Sequence, residues 1–164
     1  MPNLILRPRR PFARDFRVEM EGAAEAVAAL HRGWLRSAGE IVVGARRYEF
    51  RRRGWLRGAY LLLEGGRPLA LAADVHWWSY RVRIRCGAAT WDLVPRAWYS
   101  REYTLREGDR DIGRIRPLGV FSSGLSAELP DSVPVPVGVF LAWIVLDQHE
   151  RSSSAANAAA PGLV

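Results

Sequence analysis

Hydrophobic and polar positions alternate along most of this chain, and then the alternation stops. Residues 133–150 read VPVPVGVFLAWIVLDQHE, the longest apolar run in the protein. Pro134 and Pro136 suit the first turn of a helix, where a backbone N–H is not needed. Asp131 or Ser132 can cap that turn through a side-chain oxygen. Residues 137–146 carry no polar side chain, and Asp147, Gln148, His149 and Glu150 end the run. A helix apolar on every face must be buried all round. About a dozen uncharged residues make roughly 18 Å of helix at 1.5 Å per residue, short of the ~30 Å of a bilayer core. The run predicts a helix over residues 134–149 wrapped by the rest of the chain, and no transmembrane segment. A continuous strand is the other reading, and the run is long for one.

Before the helix the period is two. Short strands are predicted at 4–7, 15–20, 41–43, 46–52, 59–64, 68–74, 79–86, 88–94, 99–106, 111–117 and 125–129. Residues 23–30 (AAEAVAAL) are open between helix and strand, because alanine favours helix while the flanking turns favour a strand. Gly65-Gly66, Gly87, Gly108-Asp109 and residues 122–124 mark turns. In 79–86, Tyr80, Val82, Ile84 and Cys86 alternate with Ser79, Arg81, Arg83 and Arg85, which predicts one apolar face and one basic face.

Residues 44–69 and 87–112 are a repeat, with nine identities in 26 ungapped positions. Gly44 matches Gly87, Arg53 Arg96, Trp55 Trp98, Tyr60 Tyr103, Leu62 Leu105 and Gly65 Gly108. Two copies of a three-strand unit suit a closed or nearly closed barrel. A barrel of about twelve strands is wider than the eight-strand size that side chains alone can fill. An apolar helix fills it, and closure removes exposed strand edges. The predicted fold is mainly β: a closed antiparallel barrel of about twelve strands around a central hydrophobic C-terminal helix. One domain covers residues 1–150, with 151–164 a disordered tail.

Composition narrows the function classes. A chain of 164 residues that is 49% hydrophobic with seven Trp is one folded domain. Net charge is +7, and all 24 basic residues are Arg. Codon bias in a GC-rich genome accounts for that, and so does a preference for bidentate phosphate or carboxylate contacts. A single cysteine, Cys86, rules out an internal disulfide and fits a reducing compartment. The N-terminal apolar stretch is too short for a signal peptide, and its charges follow it. The expected location is cytoplasmic.

Enzyme motifs are absent. His31, His76 and His149 lie far apart and Cys86 stands alone, so no metal-ligand spacing occurs. Ser122-Ser123-Gly124 is not in a G-x-S-x-G frame, and no G-x-G-x-x-G or Walker sequence occurs. Asp109 and Asp111 flank Arg110 as turn formers. No cofactor is expected.

The arginine rows are the functional candidates. Arg81, Arg83 and Arg85 are spaced to project from one strand face, roughly 6.5–7 Å apart. Arg51 and Arg53 lie on another strand, with Arg46, Arg47 and Arg52, and Arg114 and Arg116 on a third. Such rows keep a barrel's outer face wet, or they form an anion site. An anionic headgroup surface attracts basic residues with about 1 kcal/mol each. Trp77, Trp78, Trp55 and Trp98 are either interfacial aromatics or packing at the barrel mouth. Nucleic acid is the second partner class, through sequence-independent affinity, but no RRM-type stacking motif or helix-turn-helix occurs. A barrel holding a hydrophobic ligand conflicts with the plug helix.

Glycine-punctuated strand pairs, an ending carried by Gly124, Leu125, Ala127, Leu129 and Pro130, and the helix positions Pro136, Phe140, Trp143 and Leu146 resemble the tubby C-terminal-like superfamily. That superfamily includes tubby domains, phospholipid scramblases and plant LURP-one-related proteins, and it has small bacterial members. The resemblance spans about residues 12–150 and implies a barrel with a central helix. Tubby domains bind phosphoinositides through basic residues, and that site does not map residue by residue onto this chain. The cysteine-rich and acidic calcium segments of scramblases have no counterpart here. The expectation is a monomeric, non-enzymatic binding protein, peripheral at the inner membrane surface, that binds anionic phospholipid headgroups. The alternatives are a protein-interaction scaffold or a non-specific nucleic-acid binder.

Overall fold

Twelve strands precede one helix in this computed structural model, which describes residues 3–10, 14–23, 25–33, 37–54, 58–76, 79–97, 99–120 and 123–158. In chain order the strands are β1 (Asn3–Pro8), β2 (Asp15–Met20), β3 (Ala26–Arg32), β4 (Ala38–Val43), β5 (Arg46–Arg53), β6 (Ala59–Glu64), β7 (Arg67–Asp74), β8 (Val82–Cys86), β9 (Ala89–Pro95), β10 (Tyr103–Glu107), β11 (Arg110–Pro117) and β12 (Leu125–Glu128). Each pairs antiparallel with its sequence neighbours, and β1 pairs with β12, so the sheet closes into a barrel. The helix α1 (Val135–Ala158) runs through it. The predicted fold class stands.

The alternation decides which side chains point inward. Phe16, Val18, Phe50, Tyr60, Leu62, Ile84, Leu93 and Leu105 are all at or below 2% exposure. The helix meets them with residues 137–145, whose described side chains are fully enclosed. Burying one such aliphatic or aromatic side chain contributes about 1.5–3 kcal/mol. Trp143 anchors the centre, its ring 4.3 Å from Phe50 and 5.5 Å, edge-on, from Tyr60. At Gly138 helix and wall approach closely: a Cβ there would sit 2.9 Å from both Leu4 and Leu129. No helix among the described residues is long and apolar enough to cross a membrane.

The repeat extends further than two copies. β1, β5 and β9 begin at Asn3, Arg46 and Ala89, each 43 residues after the last. The bulge in the second strand recurs after Val18, Leu62 and Leu105. The barrel is three four-stranded meanders, β1–β4, β5–β8 and β9–β12, arranged around one helix.

Its two ends differ. Connections of five to seven residues join the first to the second strand, and the third to the fourth, of each unit, and all lie at one end. At the other end most turns are two residues, and the helix enters there after β12. Its polar C-terminal turns emerge at the long-connection end, the mouth.

Three expectations need correction, and one open reading is decided. Residues 79–81 are not strand: β8 starts at Val82, and Tyr80 is 46% exposed rather than on the apolar face. The Arg81 carbonyl instead accepts a bond from Val75 N–H, closing the β7–β8 connection. Residues 99–102 likewise belong to a connection before β10, closed by Arg96 N–H donating to the Glu102 carbonyl. The ambiguous alanine segment is strand β3, because partners on both sides take up its backbone groups. The helix does not end near residue 149 but continues to Ala158. There the hydroxyls of Ser152, Ser153 and Ser154 donate to carbonyls four residues back, each at 2.9 Å, and alanine favours the helix.

Candidate anion-binding face

Register, not sequence proximity, assembles the outer wall of the middle unit. Arg51 on β5 pairs with Leu61 on β6, Leu61 with Leu71 on β7, and Leu71 with Arg85 on β8. One step nearer the mouth, Arg53 pairs with Ala59, Ala59 with Ala73, and Ala73 with Arg83. Both rows point outward, because Tyr60, Leu62, Ala72 and Ile84 between them are buried. Two arginine-apolar-apolar-arginine rows therefore lie side by side. At about 4.8 Å per strand the arginine backbones stand roughly 14 Å apart across each row. Leu71 is 43% exposed, an unusual place for leucine. Neither row contains a carboxylate. Arg51, Arg53 and Arg85 make no ion pair among the described residues, and Glu49 lies one outward position from Arg51 along β5.

The other two units show what this wall has dispensed with. The equivalent row in the first unit is Arg7, Arg17, Ala29, Val42. There Glu19 holds both arginines, at 3.4 and 3.1 Å. In the third unit the row is Val94, Thr104, Arg114, Glu128. Glu128 takes Arg114 at 3.3 Å and Arg116 at 2.9 Å, and Arg96 and Arg106 are matched by Glu102 and Asp111.

The seven arginines singled out in the sequence thus separate into groups. Arg51, Arg53, Arg83 and Arg85 share the middle wall. Arg81 stands just before β8 and, with Arg83, grips Asp92 on β9, at 2.6 and 2.9 Å. Burial alone would raise the Asp92 carboxyl, but hydrogen bonds from Arg83 and Arg81 outweigh it and hold it below its ordinary range. This clamp ties β8 to β9. Arg114 and Arg116 lie three strands farther round, neutralised by Glu128. Arg46 and Arg47 pair with Glu64 and Glu40, and Arg52 turns inward. Trp55, Trp77, Trp78 and Trp98 lie outside the described residues. No group of three metal-ligating side chains occurs among the described residues.

A second polar assembly, at the mouth, was not foreseen. The Tyr60 hydroxyl donates to Asp147 at 3.0 Å, with Arg52 3.6 Å from the same carboxylate oxygen. Arg32, 7% exposed, makes two bonds of 2.8 and 2.7 Å to Glu150. Tyr103, the repeat partner of Tyr60, donates to Gln148 at 2.7 Å. Burial pushes Asp147, Asp74, Tyr60 and Tyr103 up. It pushes His149 down to about 4, with the nearby Arg101 charge adding to the effect. The Tyr60–Tyr103 identity in the repeat was the available signal: both hydroxyls hold the helix.

No protein family, no curated protein and no solved structure matches the chain.

Proposed function

We propose that this chain is a non-enzymatic, tubby-like binding protein that lays the β5–β8 wall on anionic phospholipid headgroups at the cytoplasmic face of a membrane. The observation that carries the reading is the pair of arginine-apolar-apolar-arginine rows with no carboxylate among them. Exposed leucine between guanidinium groups suits a surface with charged headgroups above and acyl chains below. Each arginine near such a surface contributes about 1 kcal/mol, screened over a Debye length of about 8 Å at physiological salt. The barrel-and-helix plan is the one the superfamily resemblance implies, and membership is part of the proposal.

Co-sedimentation with vesicles of neutral lipid, and of neutral lipid with increasing phosphatidylserine, tests it. Binding should rise with anionic content and fall with salt. Arg51, Arg53, Arg83 and Arg85 all changed to Gln should lose on the order of 10²–10³-fold in affinity. Equal binding to neutral and anionic vesicles sinks the reading. Salt-steep binding to duplex DNA, with no preference for vesicles, points to nucleic acid instead.

A further inference from the structure

Apolar side chains left in water are not spread evenly over this barrel. Leu71, Tyr80, Tyr99, Leu118 and Val120 are the large hydrophobics exposed among the described residues. Leu71 belongs to the wall. The other four lie in the long connections at the mouth, and the described residues of the turns at the opposite end add none. Scattered single apolar residues need no account, but a cluster does.

The four come from three connections that adjoin one another. The Val120 carbonyl accepts a 3.1 Å bond from Arg101 Nη1, which ties the β11–β12 connection to the β9–β10 connection. Leu118 N–H donates to the Gly124 carbonyl and closes the base of the former. Tyr80, in the β7–β8 connection, borders the same small cleft as Tyr99 and Arg101. Val120 is 81% exposed although its backbone is held in place.

The charge around the cluster has one sign. The described residues of the six connections include Arg9, Arg10, Arg14, Arg81, Arg96 and Arg101 against one carboxylate, Glu102, which takes Arg96 at 3.2 Å. The end of the helix suits the same surroundings. Ser152 and Ser153 reach the cleft, and α1 runs on to Ala158. No charged residue follows Arg151. The hydroxyls of Ser152, Ser153 and Ser154 already donate to carbonyls within the helix, so removing water from them costs little.

We propose that the mouth rim formed by the β7–β8, β9–β10 and β11–β12 connections dips into the interfacial layer of an anionic bilayer, with Tyr80, Leu118 and Val120 below the headgroups. This rests on the membrane reading above and adds depth and tilt to it. Arg83 and then Arg81 carry the arginine face from the wall round to this rim, so that edge of the barrel sits lowest. Lipid conforms to separate apolar tips, whereas a protein partner must match them in shape. Tyrosine favours such an interface, and arginine reaches the headgroups from an apolar stem.

The test places a polarity-sensitive fluorophore on the full-length protein in a Cys86→Ser background, at Val120→Cys in one sample and at Asp109→Cys, in the turn at the opposite end, in another. Vesicles of phosphatidylcholine, with and without phosphatidylserine, carry a nitroxide on the acyl chain. The probe at 120 should be quenched on the anionic vesicles, and the probe at 109 should not. Leu118→Gln with Val120→Gln should weaken binding about tenfold, with the melting curve unchanged because both side chains stand outside the core. Vesicle binding with the probe at 120 as little quenched as that at 109 overturns the insertion and leaves the wall reading standing. Undiminished binding by the Gln pair also overturns it and points to a protein partner for the rim. Quenching at 120 with affinity undiminished when Arg51, Arg53, Arg83 and Arg85 are all changed to Gln upholds the insertion and removes the wall. Absence of binding to either vesicle overturns both.

Discussion

The outward row of the middle unit runs Arg51, Leu61, Leu71, Arg85; at the same positions the third unit has Val94, Thr104, Arg114, Glu128. The inward positions of the same strands stay apolar: Tyr60 and Tyr103, Leu62 and Leu105 are identical pairs, Phe50 is replaced by Leu93 and Ile84 by Ala127, and the bulge follows in the same place. Inward residues answer to the helix and to the pleat. A change there opens a cavity or forces a clash, at about 2–5 kcal/mol for a large deletion. Outward residues answer to solvent, and a surface substitution is usually within ±0.5 kcal/mol. The third unit's row is neutralised by Glu128; in the middle unit's two rows Arg83 is paired with Asp92, and Arg51, Arg53 and Arg85 make no ion pair among the described residues.

The largest test of that contrast lies at the mouth, where the two units respond to acid in opposite senses. His149, in the third unit's sector, is held neutral, with its pKa lowered from 6.5 to about 4 by burial first and Arg101 second. Its contribution is present above pH 6.5 and is lost as pH falls from there toward 4. At about 1.4 kcal/mol per unit the loss is up to about 3 kcal/mol. Asp147, in the middle unit's sector, is raised by burial, opposed by Arg52 and Tyr60. Its contribution is present below the ordinary carboxyl range and is lost as pH rises through its folded pKa. Denaturant melts against pH should therefore show His149→Phe gaining on the parent protein as pH falls, and Asp147→Asn gaining as pH rises. Parallel profiles would mean that the two sectors are not electrostatically distinct.

A transplant breaks the contrast at the wall. Giving the middle row the third unit's residues, Arg51→Val, Leu61→Thr, Leu71→Arg and Arg85→Glu, removes two net positive charges. Vesicle affinity should fall by about 2 kcal/mol, or roughly thirtyfold, with the melting curve little changed. If affinity holds, the rows are ordinary barrel surface.

The smallest effect separates the two tyrosines. Tyr60→Phe strips a bond from a buried carboxylate, and Tyr103→Phe strips one from a neutral amide. Bonds to charged groups are stronger by about 1 kcal/mol, so Tyr60→Phe should be the more destabilising by about that amount in urea unfolding.

Much of the architecture was legible because period-two alternation and one all-apolar run are both local signals. The third copy of the repeat was not. The β2–β3 connection, residues 21–25, is longer than the two-residue turns that follow. Phe16 therefore precedes Tyr60 by 44 residues while Leu30 precedes Ala72 by 42, and an ungapped comparison slides past the match. The wall rows were half legible. Arg83 and Arg85 are adjacent by alternation, but their alignment with Arg51 and Arg53 depends on three strand registers that no local pattern reports. Alternation also misled at residues 79–81, which keep the period although the strand begins only at Val82. The mouth cluster was hidden because it joins the helix to residues 87 and 118 positions away.

The β1–β12 seam has a consequence for synthesis. Asn3 meets Ser126 through a 2.8 Å side-chain bond across 123 residues of chain, so β1, made before the other eleven barrel strands, pairs with β12, made after them. Until then β1 has one open edge, and two complete meanders stand with their apolar inner faces uncovered. The helix that covers them is translated later still. Such long-range pairing makes folding slow, and an exposed edge beside an apolar face invites the wrong partner. The interval between emergence of the first meander and arrival of the helix is when this chain is most open to such mispairing.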